Sequence, residues 1–216
     1  MIEKKVFLEA EDFQKGLAAL DTELGKNAFI VAFAPIKIIA AGGYFAITYL
    51  KNRAATTDLD YLADPQWAAD EEIKKPIKEA IFEVSTALNY NEEWINEDMA
   101  LFVAGRTRKQ LFEKAEQQDI VLFKGENLIV LAAPIEWVLE RKIRRIHAGD
   151  RGRKAELDMS DALALLKYMR DRKGDLLDRE HIRTLNSNSF DIIPTEETME
   201  QVAAAFWRKY HGNIFA

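Results

Sequence analysis

IKIIAAGG, from Ile36 to Gly43, limits the fold more than any other stretch of this chain. A short, isoleucine-rich apolar run that stops at two glycines predicts a buried strand entering a tight turn. Tyr44 to Arg53 suits a helix, Ala55 to Thr57 a loop, and DLDYL, from Asp58 to Leu62, a second strand. The pattern therefore predicts a buried strand that turns sharply into a helix, followed by a second strand.

The remaining pattern surrounds this unit with helices. Phe13, Leu17, Leu20 and Leu24 fall at helical spacing within residues 9–25, and Gly25 marks the stop. Residues 70–88 read as a helix that Pro76 starts or kinks, 89–98 as a loop, and 107–118 as another helix. IVLF and LIVLAA, joined by KGEN with its Gly125, read as a hairpin. Pro134 opens a helix carrying IEWVLERKIRRI; after the loop GDRGRK, a further helix over 157–170 places Leu163, Leu166 and Met169 on one side. Helices over 178–187 and 195–210 close the chain. The expected fold is α+β, a small mixed β-sheet flanked by helices with a C-terminal helical lobe. The sheet domain takes residues 1–133 and the lobe 134–216, or the two form one continuous domain.

Several function classes drop out early. With no cysteine there is no disulfide, thiolate nucleophile or cysteine-held zinc. The N-terminus MIEKKVFLEAEDF is acidic where a signal peptide needs an apolar core, and the run from Phe29 to Gly43 is too short to span a bilayer, so the expectation is a cytoplasmic chain with no membrane partner. No GxxxxGK[ST] loop is present, and His181 and His211 lack partners at metal-ligand spacing. Trp137 and Trp207 sit on apolar helix faces and read as core. The net charge of −6 argues against a surface given over to nucleic acid, yet Arg141 to Lys154 carries seven Lys and Arg against one Asp. That segment is either a grip for something anionic, with His147 beside it, or a solvated helix face.

Two features carry possible chemistry. Gly42 and Gly43 between a strand and a helix start let main-chain N–H groups approach a phosphate, or simply make a turn. Asp58 and Asp60, two apart in a strand, point the same way while Leu59 and Tyr61 point inward. Such a pair holds Mg²⁺ through hard oxygen ligands, or is an exposed acid pair at a strand end.

Taken together, strand, Gly-Gly, helix, loop and Asp-x-Asp resemble the opening motif of the DNA polymerase beta-like nucleotidyltransferase superfamily. Within it, GGYFAITYLKNRAATTDLDYL is most similar to the AbiEii-type toxins and their relatives, in which an arginine and a Thr or Ser precede Asp-hydrophobic-Asp. Arg53 and Thr56 fill those middle positions, with Arg53 one residue further from Asp58 than in the family. A second resemblance lies downstream: Glu140-Arg141-Lys142-Ile143, then Arg151 to Lys154, then Asp158-Met159-Ser160-Asp161-Ala162-Leu163 are similar to that group's helix lysine, basic loop and Asp-x-x-Asp-hydrophobic pair. The likeness covers about residues 36–170.

The resemblance implies a Mg²⁺- or Mn²⁺-dependent nucleotidyltransferase that moves a nucleoside monophosphate from an NTP to an RNA or protein hydroxyl. By it, Asp58 and Asp60 hold the metal; Gly42, Gly43, Tyr44, Arg53, Thr57, Lys142, Arg145 and Asp158 bind the nucleotide; and Asp58, Asp60, Lys142 and Asp161 carry catalysis. The basic segment 141–154 would take the RNA or protein acceptor. Without the resemblance, Lys142 reads as one more cation on an exposed helix face and Asp158 as an N-cap. The chain departs from the superfamily in lacking an acid within IVLFKG or LIVLAA, where a third carboxylate would complete a two-metal site; Asp119, Glu126 and Glu136 lie outside those strands. This departure leaves open a catalytically degenerate nucleotide-binding or interaction module of the same fold.

Overall fold

The computed structural model describes residues 3–149, 152–187 and 192–216. It divides into two compact units, Met1–Pro134 and Ile135–Ala216.

In the first unit, β1 (Leu8–Glu9) leads into α1 (Ala10–Leu24), followed by α2 (Ala28–Phe33), β2 (Ile36–Ala41), α3 (Gly42–Phe45), β3 (Ala55–Thr56), β4 (Leu59–Ala63), α4 (Glu71–Leu88), β5 (Ile95–Asn96), α5 (Gly105–Gln118), β6 (Val121–Lys124) and β7 (Leu128–Ala132). Five strands form a mixed sheet in the order β5-β4-β2-β7-β6. β2 is central, antiparallel to β4 and parallel to β7, and only Lys37 of its six residues escapes burial. A strand enclosed on both edges and both faces requires such a largely apolar run, interrupted here only by Lys37. β1 and β3 make a separate antiparallel pair, with Leu8 opposite Thr56.

Helix ends follow from side chains that occupy orphan N–H groups. Asp12 accepts from the Glu9 N–H at 2.8 Å to open α1, and Asp70 accepts from the Glu72 N–H at 2.9 Å to open α4. Pro76 consequently lies inside α4 rather than at its start. α2, absent from the periodicity reading, is capped by Asn27, which accepts from the N–H groups of Phe29 and Ile30, and it ends ahead of Pro35. α1 is also tied to the hairpin. The Asp21 carboxylate accepts from the N–H groups of Asn127 and Leu128, both at 2.8 Å, and of Glu126 at 3.2 Å. Gly125 is required in that turn because a Cβ there would run into the same carboxylate.

The second unit consists of α6 (Ile135–Ala148), α7 (Ala155–Lys173), α8 (Arg179–Arg183) and α9 (Glu196–Tyr210). Val138, Leu139 and Ile143 of α6, Leu165 and Leu166 of α7, and Val202 and Phe206 of α9 are all buried. Trp137 is core as expected, whereas Trp207 stands 56% exposed on the outer face of α9. Among the described residues no helix is long and apolar enough to cross a membrane.

Candidate functional site

The glycine corner arises because β2 ends at Ala41 and the chain turns at once into α3. Gly42 takes φ +68°, the left-handed region, which side chains with a Cβ disfavour. It also has no room for one: a Cβ would lie 2.5 Å from Asp60 Oδ2. Ala41 and Asp60 are direct partners across the β2–β4 ladder, so sheet register delivers this carboxylate to the corner. A Cβ on Gly43 would stand 2.6 Å from Thr56 Cβ, and Thr56 is itself buried. Both glycines are thus demanded by close approach, one of a carboxylate and the other of a threonine. Gly43→Ala is expected to cost about 1–3 kcal/mol through overpacking, read as a lower denaturant midpoint with an unchanged slope.

Asp60 lies inside β4, and Asp58 immediately precedes that strand. Both are half-buried, while Leu59 and Tyr61 between and beyond them are buried. Among the described residues no three His, Asp or Glu side chains gather as a metal site, so this pair stands as two carboxylates only. Asp60, a hard oxygen donor beside a corner bare of Cβ, is of the kind that Mg²⁺ takes, since that ion commonly binds one or two carboxylates and keeps its remaining positions for water and phosphate.

The other expected residues fall into different settings. Tyr44 is fully buried with its ring 5.1 Å from that of Phe13, and burial pushes its hydroxyl pKa far up. Its side chain therefore faces the core, leaving only its main chain for a ligand. Arg53 is half-buried and Thr57 exposed. The strand next to β4, on the side away from β2, is β5 and not the hairpin, which lies across β2. The residue in register with Asp60 on β5 is Asn96. Its amide is used by its own loop: Nδ2 donates to Glu93 O at 3.3 Å, and Oδ1 accepts from the Asp98 N–H at 3.0 Å.

In the second unit, Lys142 is not on an exposed face. It is 4% exposed, and its Nζ lies 2.8 Å from Asp158 Oδ1 and 2.7 Å from Asp161 Oδ2. Asp158 is not the N-cap either. α7 begins at Ala155 with Lys154 in that position, which places Asp158 a turn inside, where its carboxylate meets Lys142 and, at 3.6 Å, Arg145. Among the described residues of the basic segment, Lys142, Arg144 and Arg145 each meet a carboxylate within the chain. Arg144 is bound by Glu140 at 3.1 Å and donates to the carbonyls of Leu185 and Ile192, and His147 Nδ1 lies 2.9 Å from Thr198 Oγ1. Glu140 is itself buried and also accepts from the Ser187 N–H at 2.8 Å. Arg151 of that segment lies outside the described residues.

In comparisons with protein-family models, curated proteins and solved structures, nothing matches this chain.

Proposed function

We propose that this chain is a Mg²⁺- or Mn²⁺-dependent nucleotidyltransferase, passing a nucleoside monophosphate from an NTP to a hydroxyl of RNA or protein. The observation that carries the reading is the placement of Asp60 Oδ2 against the Cβ-less, left-handed Gly42, with Asp58 two residues earlier. Asp58 and Asp60 hold the metal, which supplies charge neutralisation on the triphosphate when bound. Gly42 and Gly43 carry no Cβ, so their main-chain N–H groups are the ones this corner would offer a phosphate beside the Asp60 carboxylate. Arg53 and Thr57 belong to the loop leading into the acid pair and contribute the remaining polar contacts to the nucleotide.

The test is incubation of the protein with each labelled NTP and Mg²⁺, in the presence of total RNA or total protein. Label should pass to one acceptor class and should be lost with Asp58→Ala. Absence both of transfer and of nucleotide-dependent stabilisation would remove the reading. A second reading, a nucleotide-binding module without transfer, is favoured by one observation: the residue beside Asp60 on β5 is an amide engaged in its own loop rather than a third carboxylate. Binding of NTP and metal without transfer to either acceptor class would select it.

A further inference from the structure

The chain has a net charge of −6, yet the last turns of α7 and α9 do not share it. KYMRDRK, residues 167–173, and WRKYH, residues 207–211, together hold six Lys and Arg against one acid, Asp171. Contacts between the two helices join these stretches. Arg170 Cζ lies 5.2 Å from the ring centre of Phe206, and its Nη1 donates to the Asn213 carbonyl at 3.0 Å. Lys167 Nζ lies 6.0 Å from the ring centre of Tyr210.

Asp171 pairs with Lys167 and, at 3.7 Å, with Arg170. That leaves Arg172, Lys173, Arg208 and Lys209. All four are exposed, and none has a carboxylate oxygen within 4.0 Å among the described residues. Arg172 donates instead to the Tyr168 hydroxyl at 2.9 Å, and Lys173 to the Leu176 carbonyl at 2.6 Å, so their charges stay uncompensated. In the segment 141–154, by contrast, Lys142, Arg144 and Arg145 each face a carboxylate.

The helix dipole favours cations at a C-terminus and accounts for some of this charge. It does not account for the rings among them. Trp207 stands 56% exposed, with the His211 ring centre 6.1 Å away and nearly perpendicular. Tyr210 is half-buried, and Lys209 Nζ lies 5.5 Å from its ring centre. A large exposed ring among uncompensated cations has the two parts of a single-strand nucleic-acid site: a plane on which a base stacks and charges that follow phosphates.

We propose that the ends of α7 and α9 bind single-stranded RNA, with Trp207 stacking on a base and Arg172, Lys173, Arg208 and Lys209 meeting phosphates. The surface stands without the acid pair; only the choice of RNA over DNA rests on the transfer reading, in which an RNA hydroxyl is an acceptor.

The experiment follows a labelled oligouridylate of about ten nucleotides by fluorescence anisotropy, together with tryptophan emission, on the full chain without NTP or divalent metal. The proteins are wild type, Trp207→Leu, Trp207→Phe and two fourfold variants. One combines Arg172→Gln, Lys173→Gln, Arg208→Gln and Lys209→Gln. The other combines Lys75→Gln, Lys78→Gln, Lys109→Gln and Lys114→Gln, which removes the same charge from exposed positions of the first unit. Every substituted side chain is exposed, so all should fold, and thermal melts verify it. Wild type should bind with quenched emission, since Trp67, Trp94 and Trp137 are half-buried or buried. Trp207→Leu should weaken binding about tenfold and abolish the quenching, whereas Trp207→Phe should keep most of the affinity. The first fourfold variant should lose at least about tenfold and flatten the log–log salt dependence by about 3, and the second should bind like wild type. Polyglutamate at equal charge should not displace the RNA.

No binding by wild type overturns the inference, as does wild-type affinity in Trp207→Leu or an equal loss in the two fourfold variants. Displacement by polyglutamate would make the partner an acidic protein and overturn it too. Tighter binding of an oligodeoxythymidylate of the same length overturns the choice of RNA. RNA binding of the expected pattern by a protein that transfers no nucleotide supports the inference while removing the transfer reading, so the two fall separately.

Discussion

Asp60→Asn is expected to lower nucleotide transfer by about 10²–10⁴-fold while leaving the fold in place. The substitution keeps the shape of the side chain lying against Gly42, so the corner should still close and the thermal midpoint should move little. What changes is charge. An amide oxygen is a poor substitute for a carboxylate toward a divalent cation, and a site with two acids loses half its negative charge in one step. Asp58→Asn should act similarly, and the double variant should fall little below either single one, because on the proposed function the two groups would hold one ion and act as a unit. Initial rates of label transfer, with Mn²⁺ titrations and thermal melts on the same preparations, separate these effects. Transfer at wild-type rate by Asp60→Asn would end the catalytic assignment of this acid pair.

Lys142→Met should produce the largest loss of stability in the second unit, about 3–5 kcal/mol. The ammonium lies between Asp158 and Asp161, with all three side chains at 5% exposure or less. Removing it leaves two carboxylates close together with the half-exposed Arg145, 3.6 Å from Asp158, as the neighbouring cation. Buried ion clusters are costly to break from one side, but replacing the whole group with uncharged side chains is often neutral or stabilising. The triple variant Lys142→Met, Asp158→Asn, Asp161→Asn should therefore recover most of what the single substitution loses. Urea unfolding followed by a probe in the second unit, such as Trp137 fluorescence, measures both. Unaltered stability of Lys142→Met would mean that the cluster contributes nothing to holding α6 against α7.

The parts of this fold that were legible in the sequence are those whose signal is local. Phe13, Leu17, Leu20 and Leu24 mark α1 by spacing alone, and all four are buried. The Ile36–Ala41 strand and the hairpin around Gly125 announce themselves through apolar runs bounded by turn residues. β1, β3 and β5 have two residues each, too few for any period to show; they exist because other strands lie beside them. The same division runs through the site. Asp58, Asp60 and the glycine pair lie within one short stretch, so their spacing could be read directly. Asn96 sits in a stretch that reads as a loop, so only the folded chain sets it beside Asp60. Lys142 was visible as a cation in a basic run, but its burial was not. Nothing in ERKIRRI distinguishes a lysine that meets solvent from one enclosed by two aspartates sixteen and nineteen positions later.

The central position of β2 has a consequence for vectorial synthesis. β4, its antiparallel neighbour, follows closely, but β7, its parallel neighbour, comes after α4, β5, α5 and β6. Asp21 waits as long, since its Leu128 donor lies 107 positions downstream. A nascent chain that has not yet delivered Ala132 from the ribosome therefore presents one side of its central strand as an open template. Ribosome-stalled or truncated chains ending between β4 and β7 should be the species that chaperones hold and that aggregate when released, and docking of the hairpin is the event that seals the first unit.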